Sequence, residues 1–188
     1  MSKFVRRDAL KLLSSILAVC SQDHVLYLVQ QAKVLPVLFS VLVRADEHKP
    51  VKNANVSIKA PSTLEIANYY EHLLSVIWSM LKQLHDCSEI KTKITQERLI
   101  FKLLENDLEK TKRVREILEQ YLEPISEFDL TSFKSEEEVK ILQEDFNLDV
   151  LALASSILAY VATSELAAKL AQTSLKSTVL IDYRQLVT

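Results

Sequence analysis

The chain of 188 residues contains no glycine. Average usage of about 7% would supply roughly 13. Phosphate-cradling loops and dinucleotide-binding turns need glycine where the backbone approaches a ligand. The common nucleotide-binding motifs are therefore excluded, and tight two-residue hairpins lose their favoured residue. Cysteine is scarce, with only Cys20 and Cys87. Both sit inside apolar helical patterns, which predicts reduced thiols and an intracellular protein. Charge of one sign is also lacking, since the net charge is -2 and the pI about 6.1. That removes the basic excess expected of a nucleic-acid-binding domain. No run of about 18 uncharged apolar residues exists, so no membrane span is expected. The stretch Ala9 to Cys20 is apolar but carries Lys11, and it reads as a helix rather than a secretory signal.

What the chain does have is apolar periodicity of three and four. Leu10, Leu13, Leu17 and Cys20 form one stripe, and Val25, Leu28 and Val29 begin a second, shorter helix with Asp23 as N-cap. Pro36 falls near the start of a third, where proline is tolerated, followed by Val37, Leu38, Val41 and Leu42. Asp46 to Pro61 is polar and reads as a long loop. Ser62 and Glu65 have capping-box spacing and open a helix from about Thr63 to Leu84, with Leu74, Ile77, Trp78 and Leu81 on one stripe. A short helix is predicted over Ser88 to Gln96 and a longer one over Arg98 to Tyr121, ended by Pro124. Its charged half keeps an apolar stripe of Val114, Ile117, Leu118 and Tyr121. Ser135 to Glu138 repeats the capping spacing before another short helix. Asn147 caps the next, which runs to about Thr163.

The sequence also repeats itself. Ser14-Ser15-Ile16-Leu17-Ala18 recurs 141 positions later as Ser155-Ser156-Ile157-Leu158-Ala159. The same shift carries Leu10 to Leu151, Val25 to Leu166 and Gln31 to Gln172. A middle copy, Ser88 to Gln96, matches Ser164 to Gln172. The unit is a long helix, a short helix and a medium helix, seen three times. This resembles the armadillo repeat, and Val34-Leu35-Pro36-Val37-Leu38-Phe39-Ser40-Val41-Leu42 stands closest to the family's last element. The family glycine is replaced near Ala32 to Lys33, at Glu97 and near Thr173 to Ser174. Repeat spacings exceed the roughly 40 to 47 residues usual for the family, which implies insertions over 46–61 and 106–146. The resemblance implies an all-α, armadillo-like α-solenoid of about three repeats with two inserted segments. It forms one domain over 1–188, read as part of a longer protein. In importin-like and catenin-like members an asparagine of the long helix clamps the backbone of an extended peptide. Ile16, Met80 and Ile157 stand at those positions here, so binding of basic localisation peptides in that mode is not expected.

No constellation supports catalysis. His24, His48, His72 and His85 are scattered, and His85, Asp86 and Cys87 are adjacent residues that do not share a helix face. Neither cysteine is paired with a base by sequence, and Trp78 reads as a core aromatic. No catalytic residue, cofactor or metal is expected. The one basic cluster, Lys110, Lys112, Arg113 and Arg115, is interleaved with Glu105, Asp107, Glu109, Glu116 and Glu119. That mixture suits a solvated helix face or an acidic protein partner better than a phosphate backbone. The resulting expectation is a non-enzymatic scaffold or adaptor, cytoplasmic or nuclear, that binds other proteins through a helical surface. Self-association through a solenoid end is expected as well, since repeats bury their apolar faces against neighbours. The alternative is a nucleic-acid-binding helical repeat.

Overall fold

A computed structural model of the chain describes residues 3–44, 63–85, 89–126 and 147–169. Every regular element among them is helical: α1 (Lys3–Val19), α2 (Gln22–Gln30), α3 (Val34–Val43), α4 (Thr63–His85), α5 (Ile90–Ser126) and α6 (Leu148–Ala162). A further helical stretch covers 165–169. The expected loop over 46–61, the capping residues Ser62 and Ser135, the 127–146 part of the charged insertion and Gln172 lie outside the described residues.

The helices form two layers. The long helices α1, α4 and α6 lie side by side, with α4 in the middle. Arg7 pairs with Glu65 near the starts of α1 and α4, and Gln83 Nε2 donates to the Leu17 carbonyl near their ends, so the two helices run the same way. Tyr160, near the end of α6, meets Trp78 and His85 near the end of α4. The carboxyl ends of all three long helices therefore lie at one edge. The second layer holds α2, α3 and α5. Gln30 of α2 donates to Thr95 of α5 at 2.6 Å, and Lys110 of α5 lies 6.0 Å above the ring of Phe39 in α3.

Between the layers sits one apolar core. Its fully buried members include Leu17, Val25, Leu42, Leu73, Leu74, Ile77, Met80, Leu81, Leu84, Leu99, Leu103 and Ile117. The middle helix α4 buries residues around more than half of its circumference, because it has a long helix on each flank and α5 beneath. Each such aliphatic side chain contributes about 1.5–3 kcal/mol through removal from water, which far exceeds what helix propensity adds.

Turns in this chain need backbone that glycine would normally supply. Five described residues have positive φ: Lys33, Asn106, Asp107, Leu108 and Asn147. Lys33 (φ 51°, ψ 38°) is the N-cap of α3, where the armadillo pattern places its glycine. Asn147 is left-handed at the start of α6 and makes no side-chain cap bond, so it positions the helix by backbone conformation alone. In α2 the N-cap is Ser21, and Asp23 lies in the first turn, where its charge favours the helix N-terminus.

The helix boundaries in α5 differ from those expected. The chain continues as helix through Gln96 and Glu97, since Thr92, Thr95, Leu99 and Leu103 form an unbroken buried stripe. It breaks instead at Glu105, Asn106, Asp107 and Leu108, the last three left-handed. The break lets the second arm turn back onto α4, where Tyr121 packs edge-on against Tyr70. The second arm runs two residues past Pro124, which in this last turn takes away the donor that the Gln120 carbonyl would otherwise have.

Candidate interaction surface

The basic cluster is split by the helix that carries it. Lys110 and Arg113 are buried, whereas Lys112 and Arg115 face solvent. Positions three apart share a face, so 110 and 113 both turn toward α3 and α4. Lys110 Nζ lies 3.0 Å from Glu105 Oε1. Arg113 donates to Tyr70 Oη at 3.0 Å and to Glu116 Oε2 at 2.8 Å, with its guanidinium 5.9 Å from the centre of the Tyr70 ring. Lys112 pairs with Asp107 at 2.9 Å and Arg115 with Glu119 at 2.7 Å. The cluster thus divides into two cations that dock the second arm of α5 and two that stand, each beside an acid, on its outer surface.

Glu105 is held at the break by both Lys102 (2.7 Å) and Lys110. Desolvation pushes its carboxyl up, but the hydrogen bonds and charges of the two lysines together outweigh that and hold it below the ordinary glutamate value of 4.5. A depressed carboxyl stabilises the fold at pH above its unfolded value, and that contribution is lost as pH falls through the folded value. Thr111 Oγ1 donates to the Leu103 carbonyl at 2.8 Å and satisfies a backbone acceptor that the break would leave open. Burial pushes Tyr121 up to about 12, with Tyr70 adding to the effect. Burial also pushes Tyr69 up to about 12, against the opposing charge of Arg6. These phenols stay protonated and act as packing groups.

The remaining candidates separate. His24 Nδ1 lies 2.8 Å from Ser21 Oγ, His72 is half-buried, and His85 stacks edge-on against Tyr160 at 5.3 Å, with Nδ1 3.1 Å from the phenol oxygen. His48 and Cys87 lie outside the described residues. Cys20 is a free thiol, half-buried, 3.9 Å from Gln83 Oε1. Among the described residues no group of three or more His, Cys, Asp or Glu is placed to hold a metal ion. Trp78 is only partly buried, and it packs against Tyr160 at 6.1 Å. Gln96 also donates to the Tyr160 hydroxyl. No single described helix is long and apolar enough to cross a membrane.

Ile16, Met80 and Ile157 do not form a row on one face. Ile16 is exposed, whereas Met80 and Ile157 are in the core. On the outer side of α4, Asn68 and Lys82 are exposed and Ser75, midway between them, is half-buried. Among the described residues, an apolar stripe stays open on α1. Leu12, Ile16 and Val19 are 63%, 45% and 86% exposed and fall at spacings of four and three, opposite the stripe that packs on α4. The sequence carried the signal for this second stripe in Leu12 and Val19, which lie off the line through Leu10, Leu13 and Leu17. Only the position of α1 at the edge of its layer shows that the stripe stays open.

Two layers of stacked helices, three long helices pointing the same way, and a short-medium pair at the Lys33 turn define a helical repeat protein of the armadillo type. The model of one family, described as catenin-beta-like, Arm-motif containing nuclear, matches residues 1–171, and the chain belongs to that family. No curated protein and no solved structure matches the chain.

Proposed function

We propose that this chain is a non-catalytic protein-interaction module that works in the nucleus as a scaffold or adaptor. The family's description as nuclear and armadillo-containing supports the compartment and the class. The observation that carries the binding mode is the open stripe Leu12, Ile16 and Val19 on the outer flank of α1. Scattered exposed apolar residues need no explanation, but three aligned on one helix face are the apolar centre of an interface. Lys112 and Arg115, each already neighboured by an acid, suit an acidic or mixed-charge protein rim rather than a phosphate backbone. The same α1 flank is a surface through which two copies of the chain would associate.

The test is affinity capture from nuclear extract with the wild-type chain and with Leu12→Asp/Val19→Asp. Both positions are exposed, so the double variant should unfold at the same denaturant midpoint to within about 0.5 kcal/mol. Proteins retained by the wild type and lost with the variant support the reading. Equal retention by both, or salt-sensitive retention of nucleic acid alone, overturns it.

A further inference from the structure

The break in α5 sets local sequence preference against tertiary packing. Asn106, Asp107 and Leu108 are consecutive left-handed residues, and none is glycine. Each carries a steric penalty between Cβ and the backbone, and a leucine with φ of 62° is the least favoured of the three. The apolar phase nevertheless runs through the break without a slip. Leu99, Leu103 and Leu104 continue through Leu108, Thr111, Val114, Ile117, Leu118 and Tyr121 at spacings of three and four. The apolar pattern is thus that of one continuous helix, although Asn106 and Asp107 tolerate the left-handed region better than most residues. What bends it is the packing of the described residues after the break. Tyr121 and Arg113 lie on Tyr70 of α4, and Tyr160 of α6 lies on Trp78, His85 and Gln96. Two ion pairs five residues apart, Glu105 with Lys110 and Asp107 with Lys112, also belong to the bent form, because positions five apart do not face each other on a straight helix.

We propose that the Glu105–Leu108 break is a domain-swapping hinge and that the partner is a second copy of this chain. When α5 straightens, the segment beyond Leu108, which includes the second arm and α6, leaves its own α4 and docks on the α4 of the other copy. The contacts on Tyr70, Trp78, His85 and Gln96 are remade between copies and the strain at both hinges is released, while the Glu105–Lys110 and Asp107–Lys112 pairs are given up. The remaining cost is that of bringing two chains together, so the bent monomer prevails in dilute solution and the exchanged dimer gains with concentration. Short strained hinges in native folds favour this exchange.

The experiment is refolding of the full chain from denaturant at high and at low micromolar concentration, followed by size-exclusion chromatography with light scattering. Refolding at high concentration should give a dimer that persists on dilution and returns to monomer only after refolding dilute. Leu108→Gly relieves the left-handed penalty and weakens the straight helix, and it should lower the dimer-to-monomer constant on the order of tenfold. Its monomer should keep the wild-type helical circular dichroism. Asn106→Ala with Asp107→Ala should move the constant the other way. Connectivity is read by co-refolding a Tyr70→Cys copy with a Tyr121→Cys copy, both carrying Cys20→Ser and Cys87→Ser, and adding a bifunctional maleimide that spans the gap the two rings leave. Exchange predicts a cross-linked pair of the two different copies. Recovery of monomer alone at every concentration overturns the proposal. So does a dimer that lacks that link, or one that responds to Val19→Asp and not to Leu108→Gly, the last being the signature of association through the α1 flank.

Discussion

The pentapeptide Ser-Ser-Ile-Leu-Ala occurs in both α1 and α6, and the two copies bury different residues. In α1, Leu17 is fully buried and Ile16 is 45% exposed; in α6, Ile157 is 1% exposed and Leu158 is half-buried. Both segments are helical, so local conformation is not the difference. The helix α1 packs chiefly on α4, whereas α6 packs on both α4 and α5. A neighbour on a second side buries residues about 100° further round the helix, and that rotation brings the isoleucine in. Burial in a stacked-helix protein is therefore a property of place in the stack, and an identical sequence at the edge keeps an apolar stripe open. The stripe that the stack leaves open on α1 is the same one proposed to bind partners.

The comparison can be broken most directly by truncating the two isoleucines. Ile157→Ala removes a side chain from the centre of the core and should cost about 2–5 kcal/mol, whereas Ile16→Ala should stay within about 0.5 kcal/mol. Urea unfolding followed by circular dichroism gives both values, and equal losses would mean that α1 and α6 are buried alike. The two arginines of α5 offer a smaller version of the same contrast. Arg113→Ala leaves Tyr70 without its buried donor and opens a packing gap, for a loss of about 1–3 kcal/mol, while Arg115→Ala removes only a surface ion pair worth less than about 1 kcal/mol. A Tm shift of similar size for both variants would remove the distinction between docking and surface cations. The smallest effect concerns two buried threonines one turn apart. Thr95 accepts from Gln30 and donates to the Lys91 carbonyl, whereas the Thr92 hydroxyl has no hydrogen-bond partner. Thr92→Val should therefore stabilise by up to about 1 kcal/mol and Thr95→Val destabilise by about the same amount. Opposite signs in paired denaturation curves sharpen the packing of α5 against α2; losses in both would show Thr92 to be satisfied in solution.

Apolar spacing of three and four, with no glycine for tight loops, determined by itself that the chain is helical, that Leu10, Leu17, Val25, Leu74, Ile77 and Ile117 are core, and that the first copy runs as a long, a short and a medium helix. These follow because helix periodicity and side-chain hydrophobicity are local properties that each residue carries anywhere. Tertiary structure alone decided which way each stripe faces, which of Lys110, Lys112, Arg113 and Arg115 remain on the surface, and where α5 bends. The apolar spacing through Asn106 to Leu108 is that of a continuous helix, and the bend exists because the second arm gains more by burying Val114, Ile117 and Tyr121 than three left-handed residues lose. Likewise, Leu12 and Val19 read as ordinary surface residues until α1 is placed at the edge of the stack, because openness depends on the neighbours a helix has and not on its own residues.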